Sequence, residues 1–343
     1  MAANLENALN IMKDPAERLL IKHQGFRDLY DEIKKCFDSC GTTADPKNLA
    51  IVGPSGAGKS TVATYFENQH PVQEHAAGDV HEVLQVRIPS GVTRMSLAAT
   101  ILRKLKEPYP SRGSLDALTT RVDEALTRGE GSHGIRLVIL NEFQRFIDST
   151  YGVPYETADW LKDRIEVSGI PFIVLGLDYG LEILDQNEQL FRLFPETIEV
   201  KPFSWENADD RKNFRGILQQ IRLDLTDSYQ FPFMERVELA FRCHYASFGL
   251  IGYLMKIVRG AAELARDAKK KEVSEKMLSL AYEKLVRKKR SHYLNPFSDK
   301  DFDPKTAPPP IPPSETAAER RASWRERSGG SRMPIRRDRT SKV

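Results

Sequence analysis

Gly53-Pro54-Ser55-Gly56-Ala57-Gly58-Lys59-Ser60-Thr61 stands directly behind the apolar run Leu49-Ala-Ile-Val52. The stretch fits the G-x-x-x-x-G-K-[ST] phosphate-binding loop, with strand in front and helix behind. A triphosphate needs a loop whose backbone N–H groups can all turn inward, and glycine reaches the required dihedrals without steric cost. Lys59 is expected to reach the β- and γ-phosphates and the Ser60 hydroxyl to hold Mg²⁺. The helix that opens at Thr61 adds the positive end of its dipole. A glycine-rich turn could match by chance, but strand, loop and helix in that order imply a bound nucleoside triphosphate.

Working outward, short apolar runs alternate with helical periods. Residues 83–88, 136–140 and 171–175 read as strands, the last two apolar apart from Arg136 and therefore buried on both faces. Helical spacing is expected over residues 4–40 (Leu19, Leu20, Phe26, Leu29, Tyr30, Ile33), through Leu97, Ile101 and Leu105, and over 115–126 and 158–167. This alternation indicates an α/β fold with a doubly wound, mostly parallel sheet. After Lys201-Pro-Phe203 the strands stop, and residues 209–221, 232–243, 249–268 and 274–290 read as helices. The expected organisation is an N-terminal helical segment (1–45), a nucleotide-binding α/β domain (46–203), a helical lid (204–294) and a tail (295–343). The tail contains Pro308-Pro-Pro-Ile-Pro-Pro313 and eight arginines from Arg320 to Arg339, so it is expected to be disordered and cationic.

Composition bounds the rest. With 343 residues, 40% hydrophobic and 29% charged, the chain has core enough for one large or two modest globular domains. No apolar run approaches the ~20 residues needed to cross a bilayer, and the N-terminus lacks a basic-then-apolar leader. Cys36, Cys40 and Cys243 do not complete a metal site, and idle thiols suit a reducing cytoplasm. The net charge of +3 hides basic clusters at Arg103-Lys104-Leu-Lys106, Lys269-Lys-Lys271 and Arg287-Lys-Lys-Arg290. Such clusters suit an anionic partner or merely a solvated face.

A phosphate loop works with a carboxylate that holds Mg²⁺ and a base that orients the attacking water. The buried strand Leu137-Val-Ile-Leu140 leads into Asn141-Glu142-Phe-Gln144, which places Glu142 to polarise water. Asn141 stands where an aspartate is expected, and its amide carries no charge to offset the metal. Binding of ATP with slow turnover is the expectation. Asp148 reads as a surface or capping residue.

With both motifs placed, the chain resembles the AAA+ ATPases of bacterial transposition, the TniB/TnsC kind, including those of CRISPR-associated transposons. The resemblance spans about residues 10–290. It rests on Ala16-Glu-Arg-Leu-Leu-Ile21, on Asn141-Glu142-Phe-Gln-Arg-Phe146 and most specifically on a longer run. That run comprises Ala158-Asp-Trp-Leu-Lys, Gly169-Ile-Pro-Phe-Ile-Val-Leu-Gly176 and Glu182-Ile-Leu-Asp-Gln-Asn-Glu-Gln-Leu-Phe-Arg-Leu-Phe194. The resemblance implies a homo-oligomer, a ring or helical filament around duplex DNA with ATP at each junction. It also implies an adaptor between a TniQ-like target selector and the transposase. Arg192 matches the arginine that reaches a neighbour's γ-phosphate, although a surface pairing within its own subunit is the alternative. Two positions depart from the family pattern. The strand 172–175 ends in Gly176-Leu177 rather than a γ-phosphate-sensing polar residue, leaving Asp178 as the nearby candidate. Ser247-Phe-Gly249-Leu-Ile-Gly252 lacks a nucleotide-sensing arginine.

A filament around duplex DNA needs donors to phosphate rather than base readers. Arg103, Lys104 and Lys106 are candidates, with Thr119, Thr120 and Arg121 on the next helix; a solvated face is the alternative for each. The tail is either a linker or a docking arm. The reading is an ATP-dependent, DNA-binding regulator of transposition; the alternative is a DNA-stimulated ATPase motor or loader.

Overall fold

The inner strands are four or five residues long and mostly apolar, so they are satisfied best inside a sheet covered on both faces. The computed structural model describes residues 14–42, 45–74, 79–127, 134–148, 154–181, 188–285, 294–298 and 302–303. Five strands, β1 (Leu49–Val52), β2 (Val83–Arg87), β3 (Leu137–Asn141), β4 (Phe172–Gly176) and β5 (Glu196–Glu199), form one sheet in the order β2-β3-β4-β1-β5. Every pairing in it is parallel. The parallel sheet expected from the sequence is present.

Side-chain alternation along the strands divides the core cleanly. Ala50, Leu84, Val86, Val138, Leu140, Phe172 and Val174 point to one face, while Leu49, Ile51, Val83, Leu137, Ile139, Ile173 and Leu175 point to the other. The first face is covered by α4 (Arg94–Lys104), α5 (Leu115–Leu126), α7 (Pro154–Ser168) and α8 (Glu188–Leu193). Between β2 and β3 the crossover thus holds two helices, α4 and α5. The short α6 (Arg145–Asp148) follows β3. The second face is covered by α2 (Gln24–Ser39) and α3 (Lys59–Gln69), joined by contacts among Phe37, Phe66, Tyr30 and Tyr65. The edge strand β5 escaped the sequence reading because Glu196-Thr-Ile-Glu199 is mostly solvent-facing and carries charge where an inner strand carries valine.

Over the described residues, the single helix expected from residue 4 to 40 is two helices with an extended segment between them. The first, α1 (Pro15–Arg18), is capped by Asp14, whose carboxylate accepts from Ala16 N–H at 2.9 Å. Residues 19–23 then run without helical hydrogen bonds into α2, which His23 caps through Nδ1. The break has a packing cause. Ala16 and Ile21 bury in the core of the helical lid, whereas Phe26, Leu29 and Ile33 bury against the sheet, and one straight helix cannot serve both.

The lid consists of α9 (Ala208–Leu225), α10 (Val237–Ser247), α11 (Ile251–Asp267) and α12 (Glu275–Leu285) around Phe214, Met234, Phe248, Leu254 and Tyr282. It holds the N-terminal segment by polar contacts. Tyr229 Oη and Arg266 Nη1 both donate to Asp14 Oδ2, at 2.7 and 2.8 Å, and Arg259 Nε donates to the Ala16 carbonyl at 3.1 Å. Among the described residues no helix is long and apolar enough to cross a membrane. The Pro/Arg-rich stretch 308–339 and the basic run 287–290 lie outside the described residues. The start of the tail expected to be disordered is instead packed: Asn295 is buried and donates to Ser279 Oγ at 3.0 Å, and Phe302 is buried against Phe241 and Tyr245.

Candidate nucleotide site

The chain leaves β1 at Val52 and makes the loop Gly53–Gly58 before α3 begins at Lys59. Gly53 is required by space: a Cβ there would lie 2.3 Å from the Val200 carbonyl oxygen, and its φ is +148°. Gly58, at φ +98°, has nothing within 4 Å of a Cβ position, so its glycine serves conformation alone. The N–H groups of Gly56, Gly58, Lys59 and Ser60 have no protein acceptor among the described residues, which leaves a cluster of donors at the start of a helix. Such a cluster, with the helix dipole behind it, suits an anion.

Lys59 is only 8% exposed, and its Nζ donates to the carbonyls of Gly53 at 2.6 Å and Pro54 at 3.0 Å. Burial pushes its ammonium down to about 8 against the opposing charges of Asp178 and Glu142. A buried cation resting on neutral carbonyls is a group awaiting an anion.

A cleft of about 180 Å³ opens in front of it. Lys59, Ser60 and Thr61 form one wall, Asn141, Glu142 and Gln144 the other, and Gly176 and Leu177 border it. Ser60 Oγ donates to Asn141 Oδ1 at 3.1 Å, and the same oxygen accepts the Glu142 N–H at 2.9 Å. Those contacts fix the amide with its oxygen toward Ser60. Hydroxyl and carbonyl oxygen together form a neutral oxygen pair of the kind Mg²⁺ accepts while keeping its waters. Among the described residues no group of three or more His, Cys, Asp or Glu could hold a metal without help from a ligand.

Glu142 has φ +68°, a left-handed conformation that strains a residue with a side chain by roughly 1–3 kcal/mol. The turn aims its carboxylate into the cleft, where both oxygens are engaged. Oε1 lies 3.4 Å from Arg87 Nη2, and Oε2 accepts from Gln144 Nε2 at 2.6 Å.

A second cavity of about 640 Å³ adjoins the loop. Its walls are the 19–26 segment, the Gly56–Gly58 turn, residues 198–203 and the start of α11, with apolar surface from Leu20, Phe26, Val62 and Phe203. Burial pushes His23 down to about 4, so its ring is neutral; Nδ1 accepts the Phe26 N–H, which leaves the proton on Nε2. The lid closes on the loop by backbone: Gly252 N–H donates to the Gly56 carbonyl at 2.8 Å. A Cβ on Gly252 would sit 2.8 Å from that same oxygen, so only glycine allows the approach.

A family model described as "Bacterial TniB protein" matches residues 12–204, more than half of the chain. The chain belongs to the bacterial TniB family. No curated protein sequence matches it. Among solved structures it is similar to the Aeropyrum pernix ORC1 protein in complex with DNA, with 16% identity and a TM-score of 0.57, covering 82% of this chain and 70% of that one. It is also similar to the Aeropyrum pernix ORC2 protein in its ADPNP and ADP complexes, with 15% identity and a TM-score of 0.56, covering 80% and 72%. The Cdc6p protein of Pyrobaculum aerophilum is similar at 12% identity and a TM-score of 0.55, covering 82% and 71%. This TniB chain has the AAA+ P-loop NTPase fold that the sequence led us to expect.

The structure gathers Lys59, Ser60, Thr61, Asn141 and Glu142 around one cleft. Asp178, on a 3₁₀ turn (Asp178–Leu181), does not line it, although its charge acts on Lys59. Burial and Glu199 raise the Asp178 carboxyl while Lys59 opposes them. Arg192 lies elsewhere. It is exposed at the end of α8, just before β5, which runs parallel to β1. Because the loop leaves β1 at the C-terminal end of the strands and Arg192 precedes the start of the adjacent β5, it sits at the opposite end of the strands, and it makes no ion pair with any described residue.

The six candidate DNA contacts also sit away from the cleft, where α4 ends. Lys104 pairs with Glu67 at 2.9 Å, Lys106 with Asp79 at 2.9 Å and Arg121 with Glu107 at 3.3 Å. Thr119 Oγ1 accepts from the Trp160 indole at 3.0 Å, and Thr120 Oγ1 donates to the Asp116 carbonyl. Among the described residues the Arg103 side chain bonds the Ser111 hydroxyl alone, at 3.2 Å.

Sequence reasoning missed Arg87, Gln144 and Gly252. Arg87 ends β2 in register with Asn141. A basic residue closing a strand beside the one that carries the acidic motif was a readable signal. Gln144 is two residues past Glu142 and was quoted in the motif without a role. Gly252 gave no signal, because its use depends on where the lid docks.

Proposed function

We propose that this TniB chain is an ATP-dependent, DNA-binding regulator of transposition. It binds ATP with Mg²⁺ at the Lys59 cleft, assembles on duplex target DNA, and links a TniQ-like selector to the transposase. The observation that carries the reading is the cleft itself: free helix-start donors, a buried lysine without an anion, and the Ser60–Asn141–Glu142 wall, all in a TniB chain. A related fold has been solved with ADPNP and ADP, and another with DNA, which supports the choice of ligands.

In this reading the loop N–H groups and Lys59 bind the phosphates, and the 640 Å³ cavity takes the nucleoside. Ser60 Oγ and Asn141 Oδ1 are the oxygens that hold Mg²⁺, which supplies charge neutralisation between phosphates when bound. Glu142 accepts a proton from water at Oε2 once that oxygen is released from Gln144. An uncharged Asn141 and a tethered Glu142 both point to slow turnover, which suits a nucleotide that cements an assembly more than one that drives a motor.

Arg192 cannot serve its own cleft across the sheet, so it serves a neighbour's. Arg103 is the DNA contact with least internal commitment; Lys104, Lys106 and Arg121 would exchange carboxylates for phosphate. The test is electron microscopy and sedimentation with duplex DNA and a slowly hydrolysed ATP analogue. Wild type should form rings or filaments, and Arg192→Ala should lose assembly while binding nucleotide normally. Assembly of Lys59→Ala on DNA without nucleotide would refute the reading.

A further inference from the structure

We propose that Gln144 is the positioning residue through which the cleft distinguishes a nucleoside triphosphate from a diphosphate, by trading its hold on Glu142 for a terminal phosphate oxygen. The proposal rests on the nucleotide-binding reading above and adds to it the group that senses the phosphate.

Gln144 is 6% exposed, yet its amide reaches the wall of the cleft. Its orientation is fixed by partners at both ends: Oε1 accepts the Leu177 N–H at 3.3 Å, and Nε2 donates to Glu142 Oε2 at 2.6 Å. The amide is thus held by groups of the cleft wall, and Nε2 is a donor that a ligand oxygen entering the cleft can compete for.

The fold makes room for this side chain specifically. The strand between β3 and β1 is β4, and it ends without a side chain at Gly176. A Cβ there would lie 3.2 Å from Gln144 Oε1, and one at Gly180 would lie 3.3 Å from Gln144 Cα. Two bare backbones thus form the slot that Gln144 fills. Lys59 and Ser60 stand across the cleft, so a phosphate that spans from them to the far wall is the terminal one.

Without that phosphate, Glu142 is tied on one oxygen by Arg87 and on the other by Gln144. A terminal phosphate oxygen competes for the same Nε2, and its success frees Glu142 Oε2 to accept from water. Triphosphate occupancy and readiness of Glu142 are then one event.

The experiment uses the full chain with Mg²⁺. Affinities for AMP-PNP and ADP are measured by displacement of a fluorescent nucleotide, beside phosphate release, for wild type, Gln144→Ala and Gln144→Met. The second variant keeps length and packing, removes the N–H donors and adds no charge beside Glu142, so it carries the test even if the first folds poorly. Loss of one hydrogen bond to a charged group should cut the AMP-PNP preference over ADP about tenfold or more in both variants, leaving ADP affinity within about twofold. A purely structural role would weaken both nucleotides alike. An unchanged preference in Gln144→Met overturns the proposal while leaving nucleotide binding standing. A wild type that binds neither nucleotide overturns both.

Discussion

Lys59 should take up a proton when ATP binds, and the amount can be calculated. Its ammonium is pushed down to about 8 from an ordinary 10.5, by burial above all, with Asp178 and Glu142 pulling it partly back. A bound triphosphate places several negative charges on that ammonium and restores it to the protonated form at any pH below its ordinary range. With half the lysines neutral near pH 8, binding should take up about half a proton there, about nine-tenths at pH 9 and about a tenth at pH 7. The γ-phosphate does not confuse the measurement, because phosphate monoesters lose their second proton near pH 6 and are fully ionised above pH 8. Nucleotide affinity should therefore fall about sixfold per pH unit on average from about 8 to 10. Calorimetric titration of ATP in two buffers of different ionisation enthalpy reads the uptake directly. The same shift acts on folding. Between about 8 and 10.5 the unfolded chain holds the extra proton, so nucleotide-free stability rises with pH through that window, by up to about 3 kcal/mol from this group. Uptake below about a fifth of a proton at pH 9, or affinity that is flat across the window, would refute the account of Lys59 as a buried cation awaiting its anion.

Gly252→Ala should force the start of α11 away from the loop, since its Cβ would lie 2.8 Å from the Gly56 oxygen and 2.9 Å from the Gly56 Cα. Loss of that backbone bond and the overlap together cost roughly 1–3 kcal/mol, so nucleotide affinity should drop about five- to a hundredfold with the melting temperature little changed, read by fluorescence titration. Gly216→Ala, in the middle of α9 with nothing within 4 Å of the new Cβ, should instead stabilise the chain by about 0.5–1 kcal/mol in urea denaturation and leave nucleotide binding unaltered.

The loop and the strands of the sheet were legible because each rests on local chemistry. Glycine at Gly53 and Gly58, and apolar residues throughout β3 and β4, carry their reason in their own sequence. What failed was decided at a distance. The break between α1 and α2 exists because Ala16 and Phe26 are claimed by different cores, and helical spacing alone does not record two destinations. β5 hid behind its own solvent exposure. In the cleft, Ser60, Asn141 and Glu142 were within reach of motif reasoning. Arg87 left a signal in the basic residue that closes β2 but no role until strand order set it beside Asn141, and Gln144's role arises from the absence of a side chain at Gly176. The basic candidates near α4 were legible as charge, but their ion pairs with Glu67, Asp79 and Glu107 were not.

The N-terminal segment has a mechanical consequence. Its first described residues are riveted to the lid through Asp14 and the Ala16 carbonyl, its last helix is bedded on the sheet, and four of the five residues between form a wall of the larger cavity. Any tilt of the lid must drag that wall with it. A guest wedged in the cavity therefore acts as a splint, setting the angle between lid and sheet.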